Sequence, residues 1–200
     1  MAAQRRATVP ESSRREEILA AARRVFRDKG FDRTTVSDVV QEAHVAQGTF
    51  YLYFPSKKDA FFALAQRLPE IMARAVMGAY DPAAPFERRV RAMTRAAFEC
   101  ARANADLVRL INFGADSVAV EVQVEVLKAN PLVNALAEMF RRDIQEGLIV
   151  RVDPEVTARL LMGMYRNALI EAFVLGTQRD AARLEKALGD LVINALKRRG

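Results

Sequence analysis

Apolar residues recur at helical spacing along most of the chain, and this pattern predicts an all-α protein. In the first segment, Ile18 and Phe26 mark the inward face of a helix that a capping box of Ser13 and Glu16 would open. Gly30 follows this segment and suits the left-handed residue that ends many helices. Almost no hairpin signals interrupt the pattern, which argues against a sheet.

Residues that favour helix starts divide the next stretch into three more helices. Thr35 is expected to cap a short second helix, and a tight turn around His44 leads into a third helix over residues 46–54. Ser56 is expected to cap a long fourth helix, in which Pro69 would produce a kink.

Beyond the sequence Tyr-Asp-Pro-Ala-Ala-Pro, the helical pattern continues to the carboxyl end. We predict helices near residues 85–102, 104–115, 118–147, 154–175 and 180–198, the third of them disturbed by Pro131. The stretch Val-Ala-Val-Glu-Val-Gln-Val-Glu-Val (118–126) alternates like a strand. We still predict helix there, because the sequence offers no partner strand and a lone strand is hardly stable.

The second and third helices, joined by a tight turn, form a helix-turn-helix, whose later helix lies in the major groove of DNA. Four residues of the third helix can pack inward on the first helix: Ala46, Phe50, Tyr53 and Phe54. The residues left on the other side are Gln47, Gly48, Thr49 and Tyr51. This face is therefore the candidate DNA-binding site.

The residue types on this face suit DNA recognition. Gln47 carries the amide that pairs with the N6 and N7 atoms of adenine. Gly48 lets the backbone approach the sugar-phosphate wall closely. Thr49 and Tyr51 offer hydroxyl groups, and Lys57 at the start of the fourth helix offers a cation and backbone N–H groups to a phosphate.

The distribution of charge is consistent with a polyanion at the amino-terminal end. Of the net charge of +6, residues 1–58 contribute 11 Lys and Arg against 7 Asp and Glu, which gives +4. The remaining residues carry 20 against 18, which gives +2. A basic front half on a nearly neutral body indicates contact with a polyanion.

Composition argues against catalysis, metal binding and secretion. The sole histidine, His44, lies in the helix-turn-helix, and the sole cysteine, Cys100, has no histidine near it in the sequence. No phosphate-binding glycine loop is present, so we expect neither an enzyme nor a cofactor. The amino terminus is polar, and no apolar run approaches the roughly 18 residues of a membrane span, so we expect a cytoplasmic protein without membrane contact.

The segment ILAAARRVFRDKGFDRTTVSDVVQEAHVAQGTFYLYFPSKKDAF resembles the amino-terminal domain of the TetR family of bacterial transcriptional regulators, over about residues 14–62. The resemblance implies a DNA-binding domain over residues 1–58, of which 1–11 form a disordered arm, and a helical ligand-binding and dimerisation domain over 59–200. It also implies a homodimer whose last two long helices form a four-helix interface.

The family's usual contact positions fall on Thr35, Gln47, Gly48, Thr49, Tyr51, Tyr53 and Lys57. Ser37, one turn into the second helix, can reach DNA or simply remain exposed. Three residues depart from the family pattern: His44 replaces a glycine, Ala46 a capping Ser or Thr, and Leu52 an aromatic residue or histidine. The operator sequence therefore cannot be transferred from a relative.

The second half offers a candidate effector pocket. Arg109, Asn112 and Asp116 share one helical face, close in sequence to Phe113. Met162, Tyr165 and Leu169 lie along another helix, and the abundance of Met and Phe, including Phe98, suits a lipophilic ligand, such as an acyl-CoA thioester. An ordinary packed core is the alternative for most of these residues.

Apolar stripes on the last two helices predict a homodimer interface made of Leu161, Met164, Ala168, Ala172, Leu188, Leu191, Val192 and Ala195. A two-fold dimer in turn predicts a pseudo-palindromic double-stranded DNA operator. The hypothesis is a ligand-responsive repressor. The alternatives are an effector-independent DNA-binding protein and a helical adaptor with a basic end.

Overall fold

The computed structural model describes residues 11–113, 121, 124, 130–176 and 178–198, and these form an all-α fold, as predicted. The nine α-helices in these ranges are α1 (Glu11–Lys29), α2 (Val36–Glu42), α3 (Gln47–Tyr53), α4 (Lys57–Gly78), α5 (Phe86–Ala103), α6 (Ala105–Phe113), α7 (Pro131–Gln145), α8 (Pro154–Ile170) and α9 (Gln178–Leu196). A π-helix, Glu171–Leu175, continues α8. None of the helices over these ranges has the length and apolar character needed to cross a membrane.

Two predictions about helix ends were wrong. Helix α1 begins at Glu11, so Ser13 lies inside the helix and cannot cap it; Glu16 instead accepts a hydrogen bond from Arg67 of α4. Pro131 does not disturb a helix but starts α7, where a missing N–H costs nothing, and Asn130 caps this helix. The stretch 118–126 lies outside the described residues except for Glu121 and Val124, which are helical.

An aromatic cluster forms the centre of the amino-terminal core. Phe26 of α1, Phe31 of the following turn and Phe61 of α4 pack with ring centroids 4.8–5.6 Å apart. Phe50 of α3 is fully buried in the same core. Burial of these rings fixes the positions of α3 and of the start of α4 relative to α1.

Helices α4, α5, α7, α8 and α9 pack around a second core. Its largest fully buried side chains are those of Phe98 and Phe140. The π-helix between α8 and α9 contacts α6, and Phe173 from it packs edge-on against Phe98 at 6.0 Å. At its end, Gly176 donates a backbone hydrogen bond to the Glu171 carbonyl at 2.6 Å.

Gly176 occupies a position that tolerates no side chain. A Cβ atom there would lie 2.5 Å from the Glu171 carbonyl oxygen, well inside any normal contact. By contrast, a Cβ added at Gly163 of α8 would meet nothing within 4 Å. The close return of the chain after the π-helix therefore requires glycine.

An ion pair between Arg89 and Asp143 joins α5 to α7 inside the second core. The two residues are 3% and 1% exposed, and Nη1 of Arg89 lies 2.8 Å from Oδ1 of Asp143. The same nitrogen donates to the Tyr80 hydroxyl at 3.2 Å. Burial raises the pKa of the Asp143 carboxyl, and the neighbouring guanidinium opposes that rise. Neither charge can therefore be removed alone without leaving the other desolvated.

We expect Arg89→Met to lower the free energy of unfolding by about 3–5 kcal/mol, because the Asp143 carboxylate loses its only described cation partner. The double variant Arg89→Met with Asp143→Leu should recover most of that loss, since no charge remains buried. Urea unfolding of both variants checks this. Equal stability of the single and double variants would contradict it.

Candidate nucleic-acid interface and internal cavity

The start of α2 is fixed by the predicted capping box. Oγ1 of Thr35 accepts a hydrogen bond from the Asp38 amide at 3.2 Å, and the Asp38 carboxylate accepts from the Thr35 amide at 2.9 Å. Lys29 donates to the same carboxylate at 2.5 Å. Lys29 and the Thr35 groups lower the pKa of Asp38 to about 2. Thr35 is thus exposed but already engaged in the cap, and Ser37 is exposed beside it.

The turn between α2 and α3 adopts a left-handed backbone without a glycine. His44 has φ 53°, and its amide donates to the Gln41 carbonyl at 3.2 Å. The Val45 amide then donates to the Val40 carbonyl at 3.0 Å. Histidine tolerates positive φ better than bulky residues. The tight turn therefore forms although His44 stands where the family pattern has a glycine.

Helix α3 divides into a buried side and an exposed side. Phe50 and Phe54 are 0% and 2% exposed, as predicted for the inward face. Thr49 and Tyr53 are half-buried. The exposed residues are Gln47, Gly48, Tyr51 and Leu52. Of the four residues predicted to face DNA, three are therefore exposed and Thr49 is half-buried.

Ala46 departs from the prediction. It was expected to pack inward, but it is exposed, because α3 begins only at Gln47 and Ala46 precedes the helical register. It also supplies no side-chain cap.

The ammonium group of Lys57 binds the protein itself. Nζ donates to the carbonyl oxygens of Phe31 at 2.8 Å and Thr34 at 2.7 Å, and more weakly to that of Asp32 at 3.4 Å. It also lies 4.3 Å from the centroid of the Phe31 ring. Lys57 therefore joins α4 to the turn before α2, and its ammonium group is engaged within the chain.

The second core contains an apolar cavity of about 160 Å³. Its walls come from α4 to α9 and include Met72, Met93, Ala97, Ile111, Leu136, Phe140 and Leu161. The polar groups that reach it belong to Asn112, Asn130, Tyr165 and Arg166. The hydroxyl of Tyr165 lies 2.5 Å from that of Thr94, and burial raises the pKa of the Tyr165 phenol.

The structure brings together four of the residues predicted for an effector pocket. Asn112, Met162, Tyr165 and Leu169 line the cavity. Three others lie elsewhere: Phe98 packs against Phe173 in the core, Arg109 donates to the Val174 carbonyl at 3.3 Å, and Phe113 is largely exposed. Asp116 lies outside the described residues.

Helix α6 contributes to both cores. Leu107, Leu110 and Ile111 are buried in the amino-terminal core, although they come from the second half of the sequence. Val108 is buried in the second core, and Val108 and Ile111 both line the cavity. A molecule in the cavity would therefore contact α6, which is also part of the amino-terminal core.

A bidentate ion pair ties the same helix to α1. Nε of Arg23 donates to Oδ2 of Asp106 at 2.7 Å, and Nη2 donates to Oδ1 at 2.6 Å. Nη2 also lies 3.3 Å from Oδ1 of Asn104. The Arg23 guanidinium lowers the pKa of the Asp106 carboxyl. Sequence reasoning missed this pair, because no local pattern links residues that lie this far apart.

Comparison with known proteins supports the resemblance in the amino-terminal segment. Residues 18–64 match the bacterial regulatory proteins of the tetR family. YvdT of Bacillus subtilis (strain 168), an HTH-type transcriptional regulator, is 27% identical over 172 residues, which is 84% of this chain and 87% of the relative. The chain thus has the amino-terminal DNA-binding domain of the TetR family of transcriptional regulators. Its relatives are regulators and not enzymes, as expected from its composition.

Solved structures share the whole fold of the regulator. The fatty acid degradation regulator FadR from Bacillus halodurans has a TM-score of 0.77 at 22% identity, covering 97% of this chain and 100% of FadR. SmeT, the repressor of the Stenotrophomonas maltophilia multidrug efflux pump SmeDEF, has a TM-score of 0.73 at 22% identity, covering 93% and 91%. The helical second half of the regulator is thus of the same architecture.

The residues predicted for a dimer interface divide between core and surface. Four of them are buried within the single chain of the regulator: Ala168, Ala172, Leu188 and Val192. Leu161 and Met164 are half-buried, and Leu191 and Ala195 are exposed. Leu160, which is also exposed, extends this apolar surface on α8.

We expect Lys57→Met to destabilise the regulator by about 1–3 kcal/mol, because hydrogen bonds from a charged donor to the Phe31 and Thr34 carbonyls are lost while the aliphatic stem remains. Lys58→Met is the matched control, since Lys58 makes a surface ion pair with Glu121 that should contribute little. Chemical unfolding measures both variants. Equal effects of the two substitutions would contradict the role of Lys57 as an internal tie.

Proposed function

We propose that the regulator is a repressor that binds a pseudo-palindromic operator as a homodimer and is released by a small lipophilic effector. The observation that carries this proposal is the position of α6, which lines the cavity through Val108 and Ile111 and is also buried in the core that supports α3. The proposal also treats residues 1–58 as the DNA-binding domain and residues 59–200 as the effector and dimerisation domain.

The exposed side of α3 suits direct contact with base edges. The Gln47 amide has the donor and acceptor needed for adenine, and Gly48 leaves the backbone free to approach DNA. Tyr51 and Thr49 add hydroxyl groups. Thr35, Ser37, Tyr53 and Lys57 surround this face and are proposed to contact the sugar-phosphate backbone, Lys57 through its amide at the start of α4.

The lining of the cavity suits an apolar ligand. Its walls are mainly Met, Leu, Ile, Val and Phe, and the single charged residue among the described lining residues is Arg166, which is exposed. At about 160 Å³ the cavity is similar in volume to one that holds benzene. A fatty acyl chain would therefore have to widen it, with the anionic head group near Arg166. FadR is described as a regulator of fatty acid degradation, which supports testing acyl compounds first.

A ligand in the cavity would act through α6. Contact with Val108 and Ile111 favours a different position of this helix, and Leu107 and Leu110 on its other side carry the change into the amino-terminal core. The Arg23–Asp106 pair holds α1 to the same helix. The effector thus shifts the population toward a conformation whose two α3 helices no longer match successive major grooves.

The exposed apolar surface on α8 and α9 is the proposed dimer interface. Leu160 and Leu191 are more than half exposed in the single chain. Met164 and Ala195 follow them about one helical turn further along α8 and α9. A two-fold partner would cover the same residues on both chains. The two α3 helices would then read half-sites about one DNA turn apart.

The proposal is tested by fluorescence anisotropy with duplexes selected from a random pool, followed by titration with fatty acids and acyl-CoA thioesters of increasing length. We expect operator affinity roughly 10³-fold above that for random DNA, and release by at least one acyl compound. Ala97→Leu, which fills the cavity, should bind the operator normally and lose the response, whereas Ala103→Leu at the exposed end of α5 should retain it.

Other outcomes of this titration would identify the alternatives. Specific binding that no ligand weakens, in wild type and Ala97→Leu alike, would indicate an effector-independent DNA-binding protein. Weak binding that is independent of sequence and falls steeply with salt would indicate an adaptor with a basic end.

We expect Asp106→Asn to reduce the effector's influence on operator affinity by about fivefold, a coupling loss of about 1 kcal/mol. Affinity without effector should change little, because neither Arg23 nor Asp106 lies on α2 or α3. Asp28→Asn is the matched control, since it removes an exposed pair with Arg27 that lies within α1 and does not reach α6. If the effector weakened operator binding by Asp106→Asn as much as by wild type, the Arg23–Asp106 pair would have no part in coupling the cavity to DNA binding.

The effect of this substitution should depend on pH. Arg23 lowers the pKa of Asp106 in the folded protein, so the pair stabilises the fold above the ordinary carboxylate range. That stabilisation disappears as the pH falls through the lowered pKa. The thermal unfolding temperatures of wild type and Asp106→Asn should therefore differ at neutral pH and converge in acid.

A further inference from the structure

Leu52 is the most exposed large apolar side chain in the described part of the regulator, at 81%. It lies in the second turn of α3, and neither core uses it, because α3 packs through Phe50 and Phe54. An isolated exposed leucine is ordinary on a protein surface. Its significance here depends on which way this part of α3 faces.

Helical geometry places Leu52 at the centre of the outward side of α3. With 3.6 residues per turn, Leu52 lies about 160° around the helix from the buried Phe50 and about 40° from Gly48. Tyr51 is about 100° from both Phe50 and Leu52. The residue that points most directly away from the core, and so toward a groove occupied by α3, is therefore an aliphatic one.

Gly48 leaves open space beside this side chain. A Cβ atom added at Gly48 would meet nothing within 4 Å, so no described residue occupies the space next to it. Long side chains on a helix lean toward the preceding turn, which brings the Leu52 methyl groups to the border of that space. The centre of the face is thus apolar and unobstructed, with open space beside Leu52 for a small group.

We infer that Leu52 reads thymine through its C5-methyl group in the major groove. Thymine carries the only methyl group among the four bases on that edge. Leucine can neither donate nor accept a hydrogen bond, so contact with a phosphate would desolvate the oxygen without replacing its partner. This inference rests on the proposed function, and it adds an apolar specificity contact to the polar ones offered by Gln47 and Tyr51.

The decisive experiment removes the methyl group from the DNA and the methyl groups from the protein in turn. Duplexes selected by the full-length wild-type protein supply the binding site, and each thymine of a half-site is then replaced by deoxyuridine, which lacks only the C5-methyl group. Anisotropy gives Kd for wild type and Leu52→Ala on every duplex. At one thymine per half-site, replacement by deoxyuridine should weaken binding of the wild-type protein about fourfold, which corresponds to the free energy of burying one methyl group. The same replacement should leave the affinity of Leu52→Ala almost unchanged.

Two further variants separate this contact from a general effect on α3. Leu52→Met keeps an apolar side chain of similar volume and should retain the deoxyuridine penalty. Leu148→Ala removes a partly exposed leucine from the turn after α7 and should behave as wild type at every thymine.

The outcomes distinguish this inference from the proposed function. Specific operator binding with identical deoxyuridine penalties in wild type and Leu52→Ala would overturn the role of Leu52 and leave the proposed function standing. Failure of the wild-type protein to prefer any duplex over random DNA would overturn both.

Discussion

The packing of α6 into the amino-terminal core is the constraint on which the rest of the molecule depends. Leu107, Leu110 and Ile111 of α6 are buried in the amino-terminal core together with residues of α1 and of the first half of α4. Without them the Phe26 and Phe61 region would lose apolar cover supplied from the second half of the chain. The amino-terminal unit is therefore not structurally complete at the point where its sequence motif ends.

The amino-terminal elements themselves could be predicted well from the sequence, because local spacing determines them. Phe50 and Phe54 follow a helical period, Thr35 and Asp38 have capping-box spacing, and Gly30 adopts positive φ after α1. Each of these features depends on residues only a few positions apart. The spacing of nearby residues is therefore enough to predict helix faces, caps and turns.

Other features depend on the tertiary structure and could not be predicted from the spacing of residues along the sequence. The sequence marked Ser13 as a cap, but Glu16, needed for that box, binds Arg67 of α4. Lys57 carries a charge suited to phosphate, yet three backbone carbonyls take up its ammonium group. Helical periodicity identified the inward faces around the cavity, but it could not tell which inward residues border empty space and which, like Phe98, are fully packed.

The glycine after the π-helix has a consequence for how this domain can change over evolutionary time. Cavity-lining residues can exchange for others of similar volume at modest cost, and this allows the chemistry of a pocket to drift. Gly176 has no such freedom, because the Glu171 carbonyl oxygen occupies the place of a side chain. Residues in the walls of the cavity can therefore change while the connection between α8 and α9 stays the same. This connection limits how far the relative orientation of the two helices can diverge among descendants of this protein.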